Sequence, residues 1–214
     1  MKGDKRNYLP IHYIKADIIL KEIMKHYKND NKMILAVGGM AGTGKTEITD
    51  IIQVILCDKF NIRAKNIHLD DYYKIHYERR NEWRKQRGIK AIGTEEIKWG
   101  KVKSIIKQFR KGKALKLQQI HRFINAIEYS KVSSRNINIL IIEGLYANYL
   151  KKLGTSDLGI YLEGTVKQTH KFRLERAKEK TNNSFRQKIL EKEFLATEET
   201  KEYADLCIKY NVDN

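Results

Sequence analysis

Apolar residues recur along this chain with two periods, and the changes of period divide it into elements. Ile11, Ile14, Ile18, Ile19 and Ile23 recur at helical spacing with Lys and His between them, which predicts an amphipathic helix over 11–28 packed on a core. Asn29-Asp30-Asn31 then turns the chain. Lys32–Val37 reads as a buried strand ended by Gly38, and Glu47–Phe60 places Ile48, Ile51, Ile52, Ile55 and Leu56 on one helical stripe. Further strands are predicted at Ile67–Leu69, Ile137–Ile142, Leu158–Leu162 and Ala204–Tyr210. Helices are predicted from Thr94, as cap, to Arg110, and over Lys167–Lys180, Asn183–Leu195 and Glu198–Tyr203. Residues 114–131 keep two readings, since LKLQQI alternates like a strand and INAIEYS fits a helix. Strands alternating with helices of ten or more residues imply an α/β fold: a five-stranded parallel sheet, three layers deep, with helices on both faces. No internal repeat or long linker interrupts it, so one domain over 1–214 is expected.

Composition changes this picture at one place. Over 72–93 the aliphatic residues thin out, and Lys74, Arg79, Arg80, Arg84, Lys85, Arg87 and Lys90 interleave with His76, Tyr77 and Trp83. Such a segment is expected to be a functional surface insertion rather than core. The whole chain carries a formal charge of +17, from 43 basic and 26 acidic residues. That field attracts polyanions, but it is spread along the sequence rather than gathered in a tail, so a primary nucleic-acid role is the less favoured reading. Cys57 and Cys207 sit in apolar runs without metal-ligand spacing and are expected to be buried thiols in a reducing compartment. Met1–Asn7 is charged and no apolar leader or membrane-spanning run follows, so a cytoplasmic protein is expected, with no membrane partner.

The chemistry enters with Gly39-Met40-Ala41-Gly42-Thr43-Gly44-Lys45-Thr46, which fits G-x-x-x-x-G-K-[ST] between a predicted strand and a predicted helix. Glycines at these positions let backbone N–H groups turn toward phosphate oxygens, Lys reaches the outer phosphates, and the Thr hydroxyl ligates Mg²⁺. The helix that follows points its positive end at the same anion. Gly39, Gly42, Thr43, Gly44, Lys45, Thr46 and Glu47 are therefore the candidate nucleotide-binding residues. No Asn-Lys-x-Asp base-reading motif is present and the chain is short for a motor domain, so a small ATP-dependent kinase is expected. Asp70-Asp71 closes one predicted strand and Glu143 another. In a parallel sheet such ends face the ligand crevice, where a kinase needs an acid to hold Mg²⁺ and a base to orient the attacking hydroxyl.

The runs GGMAGTGKT, HLDDYY, ILIIEGLYA, RLER and ADLCI, in this order from about Met33 onward, resemble the uridine kinase and phosphoribulokinase family of P-loop kinases. The resemblance implies that Asp70 is the base and touches Mg²⁺ through water, that Glu143 places the metal with Thr46, and that Tyr73 lies beside the acceptor. It further implies a helical lid over 165–195, in which Arg173 and Arg176 clamp phosphates beside Lys45, with Arg186 a further lid candidate. Uridine kinases carry a His-Pro-x-x-x-Asp segment after the Asp-x-Tyr-Tyr region. Here YERRNEWRKQRGIKAIG stands in that place, so the acceptor is expected to be a nucleoside, a sugar or a phosphorylated metabolite, with Arg80 and Arg84 clamping an anionic one. The alternative is a nucleic-acid-directed protein such as a polynucleotide kinase, since basic and aromatic side chains together also suit a strand end.

Overall fold

The computed structural model describes residues 6–28, 31–121, 124, 126–175 and 184–211. Five parallel strands form the central sheet: β1 (Met33–Gly39), β2 (Ala64–His68), β5 (Ile139–Glu143), β6 (Leu158–Leu162) and β7 (Leu206–Ile208), in the order β2-β5-β1-β6-β7. Every residue of β1, β5 and β6 is buried, because both faces of the sheet are covered. Helices α1 (Pro10–His26) and α2 (Lys45–Phe60) pack on one face through Ala16, Ile19, Ile23, Ile48 and Ile52. On the other face lie α4 (Trp99–Arg110), the hairpin β3 (Leu115–His121) and β4 (Ala126–Val132), and Ala196 of α7 (Ser184–Glu198). Helices α3 (Tyr77–Arg87), α5 (Tyr149–Lys152) and α6 (His170–Glu175) complete the order.

The α/β class and the five-stranded parallel sheet agree with the sequence pattern, and several local expectations are corrected. Thr94 does not cap a long helix. Thr94–Glu96 form a 3-10 turn and α4 starts at Trp99, whose indole N–H donates to the Thr94 carbonyl at 2.8 Å. Within 114–131, Leu115–His121 and Ala126–Val132 pair as antiparallel strands, so LKLQQI keeps its strand reading and the helical reading of INAIEYS is replaced by β4. The 72–93 segment is not uniformly surface: Tyr72, Tyr73, Arg84 and Ile92 are buried, and α3 occupies its middle. Cys57 and Cys207 are exposed, not buried; Cys57 lies on the outer side of α2 and Cys207 on the edge strand. Among the described residues no helix is long and apolar enough to cross a membrane.

Candidate active site

Strand register gathers the polar groups. Val37 of β1 and His68 of β2 lie opposite Glu143 from the two sides of β5, so the C-terminal ends of three strands meet at one edge. From β1 the chain enters the loop 40–44 and then α2, with Gly44 as the cap. Gly42 and Gly44 have φ of 88° and 84°, the left-handed region that side chains avoid. A Cβ on Gly44 would also meet His12 Nε2 at 2.5 Å, so α1 presses on the loop from behind.

The loop holds its own cation. The Lys45 amine donates to the carbonyls of Gly39 and Met40, each at 2.9 Å, and the Thr43 hydroxyl donates to Met40 at 2.9 Å. The Thr46 hydroxyl donates to Glu143 Oε1 at 2.9 Å, and His68 Nδ1 lies 2.6 Å from the same oxygen. Burial alone would raise the Glu143 carboxyl, but the bonded and charged His68, with Lys45 and Thr46, holds it well below the usual carboxylate range. Burial likewise opposes the charged form of His68, and Glu143 more than offsets this, raising the imidazole. Glu47 is fully buried in the first turn of α2.

The two carboxylates after β2 diverge. Asp71 is buried, which raises its carboxyl; it accepts the Ile120 N–H at 3.0 Å, and its carbonyl takes Gln118 Nε2 at 2.5 Å. Asp71 thus fastens the hairpin. Asp70 is half-buried in the turn Leu69–Tyr72 and makes no hydrogen bond to a described residue. Tyr73 is buried beside it, tied to Ile97 by an antiparallel bridge. Burial drives the Tyr73 hydroxyl well up, Arg80 pulls it down and Asp70 adds to the rise, so both charges act on one phenol.

On the other side, Arg173 of α6 lies against the phosphate loop. A Cβ on Gly42 would stand 3.2 Å from Arg173 Cγ. Its Nη1 donates to the Val166 carbonyl at 2.9 Å and to the Thr169 hydroxyl. Arg176 falls outside the described residues, and Arg186 is half-buried in α7. A cavity of about 380 Å³, lined by Glu163, Gly164, Thr165, Gln168, Tyr210 and Asn211 among others, adjoins the loop, for a Cβ on Gly164 would meet Thr43 Cγ2 at 2.8 Å.

The two arginines expected to clamp an acceptor separate. Arg80 stacks on Tyr73, its guanidinium carbon 3.5 Å from the ring centroid, with Nε donating to the Ile75 carbonyl at 3.3 Å. Arg84 is 2% exposed. Its Nε and Nη2 donate to Glu96 at 2.8 and 2.7 Å, and Nη1 donates to Glu193 at 2.8 Å. Arg84 is therefore corrected from a substrate ligand to an internal tie: its cation is consumed by two buried carboxylates. Sequence reasoning singled out neither His68 nor His12. His68 opens the HLDDYY run, two residues before Asp70, but the register that sets it against Glu143 belongs to the folded sheet.

The description "Phosphoribulokinase / Uridine kinase family" fits residues 34–210. Helix α1 lies outside that span. No single curated protein sequence gives a match. Among solved structures, a possible uridine kinase from Bacillus stearothermophilus superimposes with a TM-score of 0.60 at 19% identity, over 92% of this chain and 98% of that one. A D-glycerate 3-kinase from Cryptococcus neoformans var. grubii gives 0.63 at 11%, over 95% and 97%. Phosphoribulokinase from Rhodobacter spheroides gives 0.62 at 11%, over 84% and 70%. At these identities the likeness is one of fold.

Proposed function

The chain belongs to the phosphoribulokinase and uridine kinase family and is a phosphotransferase with an alcohol acceptor, and from that premise we propose that it moves the γ-phosphoryl group of ATP to a hydroxyl of a small molecule. One observation carries the reading. A single buried carboxylate oxygen, Glu143 Oε1, is shared by the loop Thr46 and by His68, with Lys45 in its field and uncommitted Asp70 two residues past His68.

The division of labour follows from those positions. Backbone N–H groups of the 40–44 loop and the N-terminus of α2 hold the β- and γ-phosphates. Lys45 exchanges the carbonyls of Gly39 and Met40 for those phosphates. Thr46 and Glu143 would hold Mg²⁺, with Asp70 reaching it through water. The fit is chemical: hard oxygen donors are gathered, and among the described residues no cluster of three His, Cys, Asp or Glu forms a full protein cage. A magnesium ion bound mainly through substrate phosphates needs no more than this. When bound, the ion would offset negative charge on the phosphates as the transfer proceeds. Asp70 accepts the acceptor's hydroxyl proton as that oxygen bonds to the γ-phosphorus, and the bond to the bridging oxygen of the departing ADP breaks. Arg173 and Arg176 offset charge on the transferring group. The nucleoside half of ATP occupies the cavity beside Thr43. Residues 72–93 build the acceptor side, 165–195 act as the lid, and 1–214 work as one unit.

The test is ADP release across nucleosides, sugars, sugar phosphates and hydroxy acids, with wild type and Asp70→Asn. Loss of a general base costs about 10²–10⁴ in rate, so Asp70→Asn is expected to keep nucleotide affinity and lose about 10³ in kcat. An Asp70→Asn chain with unchanged turnover removes the base assignment. The +17 charge favours a polynucleotide acceptor as the second reading. Steep salt dependence with oligonucleotides would support it.

A further inference from the structure

We propose that His12 is a positioning residue of the phosphate loop, and that through it the docking of α1 and the binding of nucleotide are one coupled equilibrium. This rests on the kinase reading above and adds to the nucleotide site an element that the family description, over residues 34–210, does not span.

Gly44 has no side chain, and His12 fills the space where one would lie. The imidazole atoms Nε2, Cδ2 and Cε1 stand 2.5, 2.8 and 3.4 Å from the position of an added Cβ. Gly44 caps α2 with φ at 84°, a left-handed turn that glycine adopts without strain. The same freedom lets a glycine backbone wander unless something packs on it. A loop whose N–H groups must converge on phosphate oxygens binds more tightly when it is held in the bound shape beforehand.

The ring is itself fixed. His12 is the third residue of α1 and 8% exposed, and its Nδ1 accepts the Leu9 N–H at 3.3 Å. With Nδ1 an acceptor, the proton of the neutral imidazole sits on Nε2, the edge turned to Gly44. The ring cannot swing off the loop without giving up that bond at the start of the helix. One turn on, Lys15 is buried, and its ammonium lies 5.4 Å from the centre of the Tyr210 ring. The Tyr210 hydroxyl donates to the Gln168 carbonyl at 2.8 Å, and both residues line the cavity proposed for the nucleoside. Ahead of the helix, Arg6 Nε and the Tyr8 hydroxyl donate to Asp50 of α2 at 3.1 and 3.4 Å. Residues 6–15 therefore touch α2, the phosphate loop and the cavity wall.

The rest of α1 has a separate task. Ala16, Ile19 and Ile23 are buried against the sheet and anchor the helix whatever the loop does. Only the first turn meets the nucleotide site. Binding free energies are reciprocal, so whatever the docked turn adds to nucleotide affinity, bound nucleotide adds to the docking of that turn by the same factor. Cutting the imidazole back to a methyl group leaves the Gly44 backbone without its wall, and nucleotide must then order the loop as it binds. A merely structural histidine would alter Tm and leave nucleotide affinity alone.

The experiment titrates the full chain with a fluorescent ATP analogue and Mg²⁺ to obtain Kd, beside thermal melting and amide hydrogen exchange of α1. Wild type is compared with His12→Ala, with His12→Gln, which returns an N–H near the place of Nε2, and with Ile23→Val, which removes one buried methylene from the far end of α1. His12→Ala is expected to weaken Kd about tenfold, His12→Gln to stay within about threefold of wild type, and Ile23→Val to lower Tm with Kd unchanged. In wild type the analogue should slow exchange over residues 11–16 about tenfold, and in His12→Ala that slowing should be lost. Equal Kd in wild type and His12→Ala overturns the proposal. So does an Ile23→Val chain that loses as much affinity as His12→Ala, since α1 then acts only through general stability. If His12→Ala does not fold, exchange in wild type decides, and no slowing over 11–16 overturns the proposal. A wild-type chain that does not bind the analogue overturns the kinase reading itself, so the two failures are distinct.

Discussion

The proposed nucleotide side and the proposed acceptor side of this site are built by opposite means. On the nucleotide side the polar groups satisfy one another: Lys45 is bonded to its own loop, and Glu143 is bonded to Thr46 and His68. Those contacts are local or fixed by parallel strand register, and a ligand has only to exchange with them. On the acceptor side, two arginines of one helix have different fates. Arg84 is internally neutralised and Arg80 is not. The contrast teaches that a basic run is not a uniform surface: Arg84 holds the fold through two buried carboxylates, while Arg80 keeps a buried donor without a partner among the described residues.

The largest effect that sharpens this contrast is on the nucleotide side. Lys45→Met is expected to lower kcat by about 10²–10³, the usual cost of removing one charge-stabilising donor, while Tm without nucleotide changes little. Steady-state kinetics and melting of one preparation check both halves.

Next is Arg84→Ala, which leaves Glu96 and Glu193 buried without their cation. Breaking one partner out of a buried network costs about 3–5 kcal/mol, so denaturant unfolding should show a loss of that order. Replacing Arg84 with Met and both glutamates with Leu should recover stability to within about 1–2 kcal/mol of wild type. If Arg84→Ala instead keeps its stability and loses acceptor affinity, the distinction between the two arginines collapses.

His68→Gln is a smaller perturbation. His68 Nδ1 lies 2.6 Å from Glu143 Oε1, and loss of a partner to a metal-holding carboxylate typically weakens metal affinity about 10–100-fold; about tenfold in the Mg²⁺ requirement is expected, read by titration of Mg²⁺ against nucleotide binding. The pair also sets a pH window for the nucleotide-free chain. A raised His68 contributes fully below its ordinary 6.5 and is lost as pH climbs through its folded value; a depressed Glu143 contributes fully above its ordinary 4.5 and is lost as pH falls. The stability difference between wild type and His68→Gln should thus be greatest between about pH 4.5 and 6.5 and shrink on both sides.

The smallest effect is that of salt. Exposed charges are screened beyond about 8–10 Å at physiological ionic strength, so raising salt from 50 to 300 mM should change KM for a small acceptor only about two- to threefold. A much steeper dependence would shift the acceptor side toward a polymer.

Much of the nucleotide side is legible in the sequence, for physical reasons. β1, β5 and β6 are buried on both faces and so read as unbroken apolar runs, and the phosphate loop is contiguous with its glycines at fixed places. The acceptor side is not. Helix α3 offers no apolar stripe, and its one fully buried side chain is Arg84, so hydrophobic periodicity cannot find it. The hairpin strands have an exposed face and remain ambiguous until Asp71 and Tyr72 tie them down. Thr94 and Glu96 look like the start of a helix because their chemistry suits a cap, whereas Glu96 is committed to Arg84. Cys57 follows Leu56 in an apolar run, yet one helical step turns it outward.

The Arg84 tie has a consequence for protein engineering. Its second carboxylate, Glu193, lies 109 positions further along the chain, on a helix that belongs to a different part of the fold. The acceptor segment is thus not a cassette. A chimera that receives residues 74–93 from a relative strands two buried acids, and one that gives that stretch away buries an unmatched arginine, unless positions 84, 96 and 193 travel as a set. Swapping substrate preference among these kinases by exchanging one loop would first appear as poor expression, and only afterwards as altered chemistry.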